Sequence, residues 1–167
     1  MKQPNEIPAS IRIIAILDIA VKTPIVLIGA FLAARHHSAG PFLGFLVPAG
    51  VAPLLFTFLE GGSLTFAIGT LRRKRWGLDG LTAYAVLGLF NAPLVLFSRA
   101  RVAYEEMMAD RLVRQIGIPL ERALHLQQII STTTYVVAFL IGAVCLYFFL
   151  TRRAAFRAAC AGQNGGA

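Results

Sequence analysis

Apolar positions along the chain fall into long continuous runs, with no strand-like alternation of apolar and polar residues. A helix needs about 20 mainly apolar residues to cross about 30 Å of hydrocarbon. Four runs meet that length: about Ile11 to Ala34, about Pro48 to Leu71, about Trp76 to Ser98, and about Ile129 to Leu150. The start of the second is loosely marked, anywhere between Leu43 and Val51. No internal repeat or low-complexity tract competes with these runs, and continuous runs exclude a closed barrel, whose strands alternate. The predicted class is all-α, a four-transmembrane-helix bundle forming a single membrane domain over residues 1–160. Residues 161–167, rich in Gly, are expected to be a disordered tail.

The first run is read as a retained span. Its apolar stretch is longer than a signal-peptide core, Asp18 and Lys22 interrupt it, and no A-x-A cleavage pattern follows. Between the third and fourth runs lies a polar segment, Arg99 to Gln128. Within it Val102, Tyr104, Met108, Ala109, Leu112, Val113 and Ile116 share one half of a helical wheel. This predicts an amphipathic helix over about 102–116, in the membrane interface or across the bundle mouth. Glu105 is the one charge inside its apolar arc. Gly117 is placed to end the helix in a left-handed cap, and Pro119 to open the next.

Composition turns this pattern into a class. The chain is 57% hydrophobic and 14% charged, against about 45–50% and about 25% in soluble domains. Its mean hydropathy is +0.69. That excludes a soluble fold and a disordered chain alike. Sixteen Lys and Arg against eight Asp and Glu give +8, a balance that in a soluble protein points to nucleic acid. Here the basic residues sit at the ends of apolar runs, where they encode topology. Arg72, Arg73, Lys74 and Arg75, with Arg152 and Arg153, are the topology anchors, and Trp76 is placed as an interfacial ring. They favour an inner (cytoplasmic) membrane protein with both termini cytoplasmic; Arg99 and Arg101 argue the other way. The bilayer is the expected partner, with a homo-oligomer or another membrane protein beside it, and nucleic acid is not.

The segment Gly69-Thr70-Leu71-Arg72-Arg73-Lys74-Arg75-Trp76, a span ending in basic residues and Trp before another span, resembles that of small bacterial four-span membrane proteins. These share no biochemical activity, so the resemblance implies the membrane architecture and no catalytic residue.

Three charges lie well inside the runs: Asp18, Lys22 and Glu60. Intramembrane charges are costly, so they face the bundle and pair. Asp18 and Lys22 are one helical turn apart on one face. Lys22 is eleven residues from Ile11, and Glu60 eleven from Leu71, which puts both roughly 16 Å deep at 1.5 Å per residue. An Asp18–Lys22–Glu60 cluster is therefore expected. It is either an ion-paired staple or a proton- or ion-coupled site, since its formal charge is −1. Pro24 and Pro93 are expected to kink their spans, and Pro48 and Pro53, each removing a backbone donor, to make the second irregular, although Gly and Pro are ordinary in membrane helices.

Other chemistry is sparse. His36, His37 and His125 are weak metal candidates, because none has ligand spacing, and no metal or cofactor is expected. Cys145 has no C-x-x-C partner, and Cys160 is expected in the tail. Ser131 to Thr134 open the fourth span as helix-bonding hydroxyls. No nucleophile triad, phosphate loop or H-E-x-x-H is present. The leading expectation is a non-enzymatic accessory or assembly subunit, with a small ion- or proton-coupled transporter or channel as the alternative.

Overall fold

The computed structural model describes residues 6–35 and 39–161. It contains α1 (Ala9–Arg35), a hairpin of β1 (Gly40–Phe42) and β2 (Phe45–Val47), α2 (Ala52–Leu71), α3 (Arg75–Leu96), α4 (Arg99–Ile116) and α5 (Leu120–Ala161). Among the described residues the protein is all-α, 84% helical, with five helices. Three of these, α2, α3 and α5, are long and apolar enough to cross a membrane.

The second run starts later than the sequence suggests. Residues 40–47 form an antiparallel hairpin pairing Gly40 with Val47 and Phe42 with Phe45. Strands of three residues are too short to leave an alternating signal. At the hairpin tip Leu43 and Gly44 both have positive φ, 48° and 83°. A Cβ on Gly44 would sit 3.3 Å from the Leu94 carbonyl, so Gly satisfies both the turn and the packing. Pro48 then lies in a turn, its carbonyl accepting from the Val51 and Ala52 N–H groups. Pro53 occupies the first turn of α2, where its missing N–H costs no helical bond. Neither proline interrupts α2, so the irregularity suggested by the sequence falls before the helix and at its first turn, whereas Pro24 and Pro93 lie inside α1 and α3.

α2 ends in a tight turn in which the Lys74 N–H reaches the Gly69 carbonyl and the Arg73 N–H the Thr70 carbonyl. This is a Schellman closure with Arg73 at the left-handed position, φ 57°, that glycine usually takes. An arginine there costs about 1–2 kcal/mol. Trp76 lies over Gly69 and meets Phe66 edge to face, ring centroids 6.3 Å apart. It remains half exposed, so the ring serves the α2–α3 contact as well as the surface.

α1 packs on α2, α2 on α3, and α3 on α5, while α1 and α5 touch lightly. α2 and α3 approach closely beside their shared turn. A Cβ on Gly77 would fall 2.3 Å from the Thr70 nitrogen and 2.8 Å from the Phe66 carbonyl oxygen. Both obstacles are backbone and cannot rotate away. Gly77→Ala is therefore expected to push α2 from α3 and destabilise the bundle by about 1–3 kcal/mol, read as a lower unfolding midpoint in detergent. An unchanged midpoint would show that the helices separate freely.

The packed core, with Ile11, Ala15, Ala67, Leu78, Phe149, Phe156 and Cys160, lies at the end carrying the basic α2–α3 turn. Cys160 is thus a buried residue of α5, where the sequence suggested a tail. Burial pushes its thiol pKa up, against the pull of Arg75 and Arg73. Residues 162–167 of the expected tail lie outside the described residues. Arg153 donates to Asp79 at 2.5 Å, tying α5 to α3.

α4 begins where the Ser98 hydroxyl accepts from the Arg101 N–H, and ends at Gly117 with φ 72°. It covers the expected amphipathic segment, a turn longer at its start, and packs beside α5 and the hairpin. α5 then runs unbroken for 42 residues, about 63 Å at 1.5 Å per residue. The fourth apolar run is only its middle part.

Candidate functional site

The structure brings Asp18, Lys22 and Glu60 together, from α1 and α2. The Lys22 ammonium is 3.2 Å from Asp18 Oδ1 and 3.2 Å from Glu60 Oε2. It also donates to Ser63 Oγ at 2.7 Å, and Ser63 in turn donates to Asp18 Oδ2 at 3.0 Å. The ammonium lies 3.7 Å from the centre of the Tyr84 ring, and the Tyr84 hydroxyl donates to Glu60 Oε1 at 2.9 Å. The cluster therefore spans three helices. α1 supplies Asp18 and Lys22 one turn apart, α2 supplies Glu60 and Ser63, and α3 supplies Tyr84.

Ser63 and Tyr84 escape a sequence reading because neither is unusual in an apolar helix. Ser63 does lie one helical turn from Glu60 on the same face, a spacing visible in the sequence. Tyr84 becomes a partner only through the α2–α3 packing, which places ring and hydroxyl on two different members of the cluster. Lys22 is surrounded by two carboxylates, a hydroxyl and an aromatic face. Glu60 Oε2 is less well served: it is buried and takes no hydrogen bond, leaving the Lys22 ion pair as its compensation.

This cluster is not sealed between helices. Asp18, Lys22, Glu60 and Tyr84 line a partly open cavity of about 400 Å³ whose walls come from α1, α2, α3 and α5. A smaller cavity, about 110 Å³, lies on another side of Glu60 and Tyr84, reaching to Phe42 of the hairpin. The hairpin is held over this end by Asn91 of α3, whose Oδ1 accepts from the Leu43 N–H at 2.7 Å.

A second polar network joins α4 to α5. Arg101 Nε donates to Glu105 Oε1 at 2.5 Å, Nη1 to the Leu96 carbonyl at 3.1 Å, and Nη2 to Thr132 Oγ1 at 2.7 Å. Ser131 Oγ also donates to Glu105. Glu105, the apparent flaw in the amphipathic arc, is 4% exposed and is the buried centre of this latch. The signal was present as the Arg101/Glu105 spacing of one turn; what the sequence lacked was the hydroxyl pair facing it. Arg101 is thereby neutralised locally and carries little weight as an argument about orientation.

The remaining candidates stay apart. His125 is exposed near the start of α5, and His36 and His37 lie outside the described residues. Among the described residues no group of three His, Cys, Asp or Glu side chains is arranged to hold a metal ion. Of the topology anchors, Arg72, Lys74, Arg75 and Arg152 are exposed, while Arg73 and Arg153 are half-buried. Comparison with known family models, curated proteins and solved structures finds no match.

Proposed function

We propose that the chain is a four-span protein of the cytoplasmic membrane, with both termini cytoplasmic, that binds and passes a small charged solute through the Asp18–Lys22–Glu60 centre without covalent chemistry. α1, with 27 residues, about 40 Å at 1.5 Å per residue, is the fourth span beside α2, α3 and α5. The orientation is supported by the gathering of Arg73, Arg75, Arg153 and Arg157 around Asp79 and Cys160 at one end of the bundle. One observation carries the functional reading: the intramembrane charges line a cavity of about 400 Å³, when a purely structural ion cluster needs no free space. Ionisable groups at membrane depth that face a cavity are the usual elements of substrate and ion pathways.

The test is flux in proteoliposomes made with the purified protein alone. A cation or proton flux driven by a pH gradient is expected, with a loss of at least tenfold in Glu60→Gln at unchanged folded yield. Flux no greater than in empty liposomes would overturn the reading.

A second reading, a non-enzymatic accessory or assembly subunit, is favoured by the pairing of Lys22 with two carboxylates, which suits a staple between α1, α2 and α3. It predicts a partner at fixed stoichiometry after gentle extraction, and no flux from the protein alone.

A further inference from the structure

Lys22 stands 3.2 Å from Asp18 Oδ1 and 3.2 Å from Glu60 Oε2, and the Ser63 hydroxyl bridges it to Asp18. Two carboxylates share one ammonium, so the cluster keeps one formal negative charge, and Glu60, whose Oε2 is buried without a hydrogen bond, lines the cavity. A surplus negative charge beside a cavity favours an occupant of positive charge.

The space beside it is largely apolar. Ile14, Leu81, Ala85, Ala138, Ile141 and Phe149 form much of the wall of the cavity of about 400 Å³. A Cβ on Gly88 would meet nothing within 4 Å, so open space reaches the backbone of α3 there. This volume is in the range that small-molecule sites use, mostly apolar with a few convergent polar groups. A small inorganic cation is poorly served by such walls, since it requires several oxygen ligands. An anion is repelled by the surplus charge, and a neutral apolar molecule leaves that charge unbalanced.

Building on the cavity reading above, we propose that the solute is an amphiphilic organic monocation, its charged head at Glu60 and its apolar body against the α3 and α5 walls. Tyr84 holds Glu60 Oε1 in place, and the Asp18–Lys22 pair positions Oε2 from the other side. Charge complementarity and an apolar enclosure together define the class: a quaternary ammonium, phosphonium or protonated hydrophobic amine.

The test uses the full chain in nanodiscs of zwitterionic lipid, with tetraphenylphosphonium as probe and tetraphenylborate, similar in shape and opposite in charge, as control. Equilibrium dialysis should show saturable tetraphenylphosphonium binding at one per chain, and no saturable tetraphenylborate binding. Glu60→Gln should weaken binding at least tenfold. Gly88→Leu should do the same by filling the cavity, since its side chain grows into open space and leaves every charge intact. Wild-type unfolding midpoints for both variants would establish that each is folded. Equal binding of the two probes, binding unchanged in both variants, or absence of saturable binding would each overturn the proposal. Glu60-dependent flux without tetraphenylphosphonium binding would sink the ligand class and leave the transport reading intact. Binding without flux would do the reverse.

Discussion

Lys22→Met is expected to cost about 3–5 kcal/mol of stability, the range for removing one partner of a buried ion pair. The lysine side chain is 13% exposed and stands between two carboxylates. Methionine preserves much of its volume but leaves Asp18 and Glu60 facing a site with no cation. The loss should appear as reduced folded yield and a lower unfolding midpoint. Trp76, the protein's single tryptophan, reports on it through its contact with Gly69 and Phe66. A companion variant separates charge from packing. In Asp18→Asn/Lys22→Met/Glu60→Gln no ion remains to be buried unpaired, and most of the stability should return, because apolar or neutral replacements of buried ion pairs are often tolerated. Full stability in the single variant would mean that the cluster is solvated rather than buried. A triple variant as unstable as the single would assign the loss to packing.

Arg101→Ala should have an effect of similar size, about 3–5 kcal/mol, but local to α4. Glu105 is almost fully enclosed and its cation is Arg101; after the substitution the Ser131 hydroxyl remains as its only neighbour among the described hydrogen bonds. The guanidinium also ties the Leu96 carbonyl and Thr132, so the link between the end of α3, α4 and α5 is lost at once. Limited proteolysis between Ser98 and Gly117 should accelerate strongly while α2 and α3 remain protected. Arg101→Met/Glu105→Met should restore resistance. If cleavage in Arg101→Ala matches that of the native protein, α4 is held by its apolar face and the latch is incidental.

The amphipathic face of α4, the left-handed cap at Gly117 and the existence of long apolar helices were all legible, because each depends on residues near one another in the chain. The Asp18–Lys22 pair was legible for the same reason. Glu60 was reachable through a depth argument, since helices of known rise crossing one slab place equal offsets at equal heights. The hairpin at 40–47 was not legible. Its six strand residues carry no usable periodicity, and Pro48 and Pro53 read as irregularities of the second span until the helix start at Ala52 made them turn and first-turn residues. Cys160 was misplaced because the Ala- and Gly-rich end of the chain masks the last turns of a helix that packs into the core.

By itself, then, the sequence determined the elements of this protein: long apolar helices, three of them long and apolar enough to cross a membrane, with basic residues at the ends of the apolar runs and three charges inside them. Those properties follow from local composition and from the dielectric cost of a buried ion, which holds whatever the fold. The tertiary structure alone decided which partners those charges meet. Ser63 and Tyr84 complete the Lys22 cluster, Ser131 and Thr132 complete the Arg101 latch, and the cavity beside Glu60 opens between α1, α2, α3 and α5. Such features depend on how helices distant in sequence approach one another. That approach is set by backbone contacts such as Gly77 on Thr70, which no periodicity along a single helix encodes.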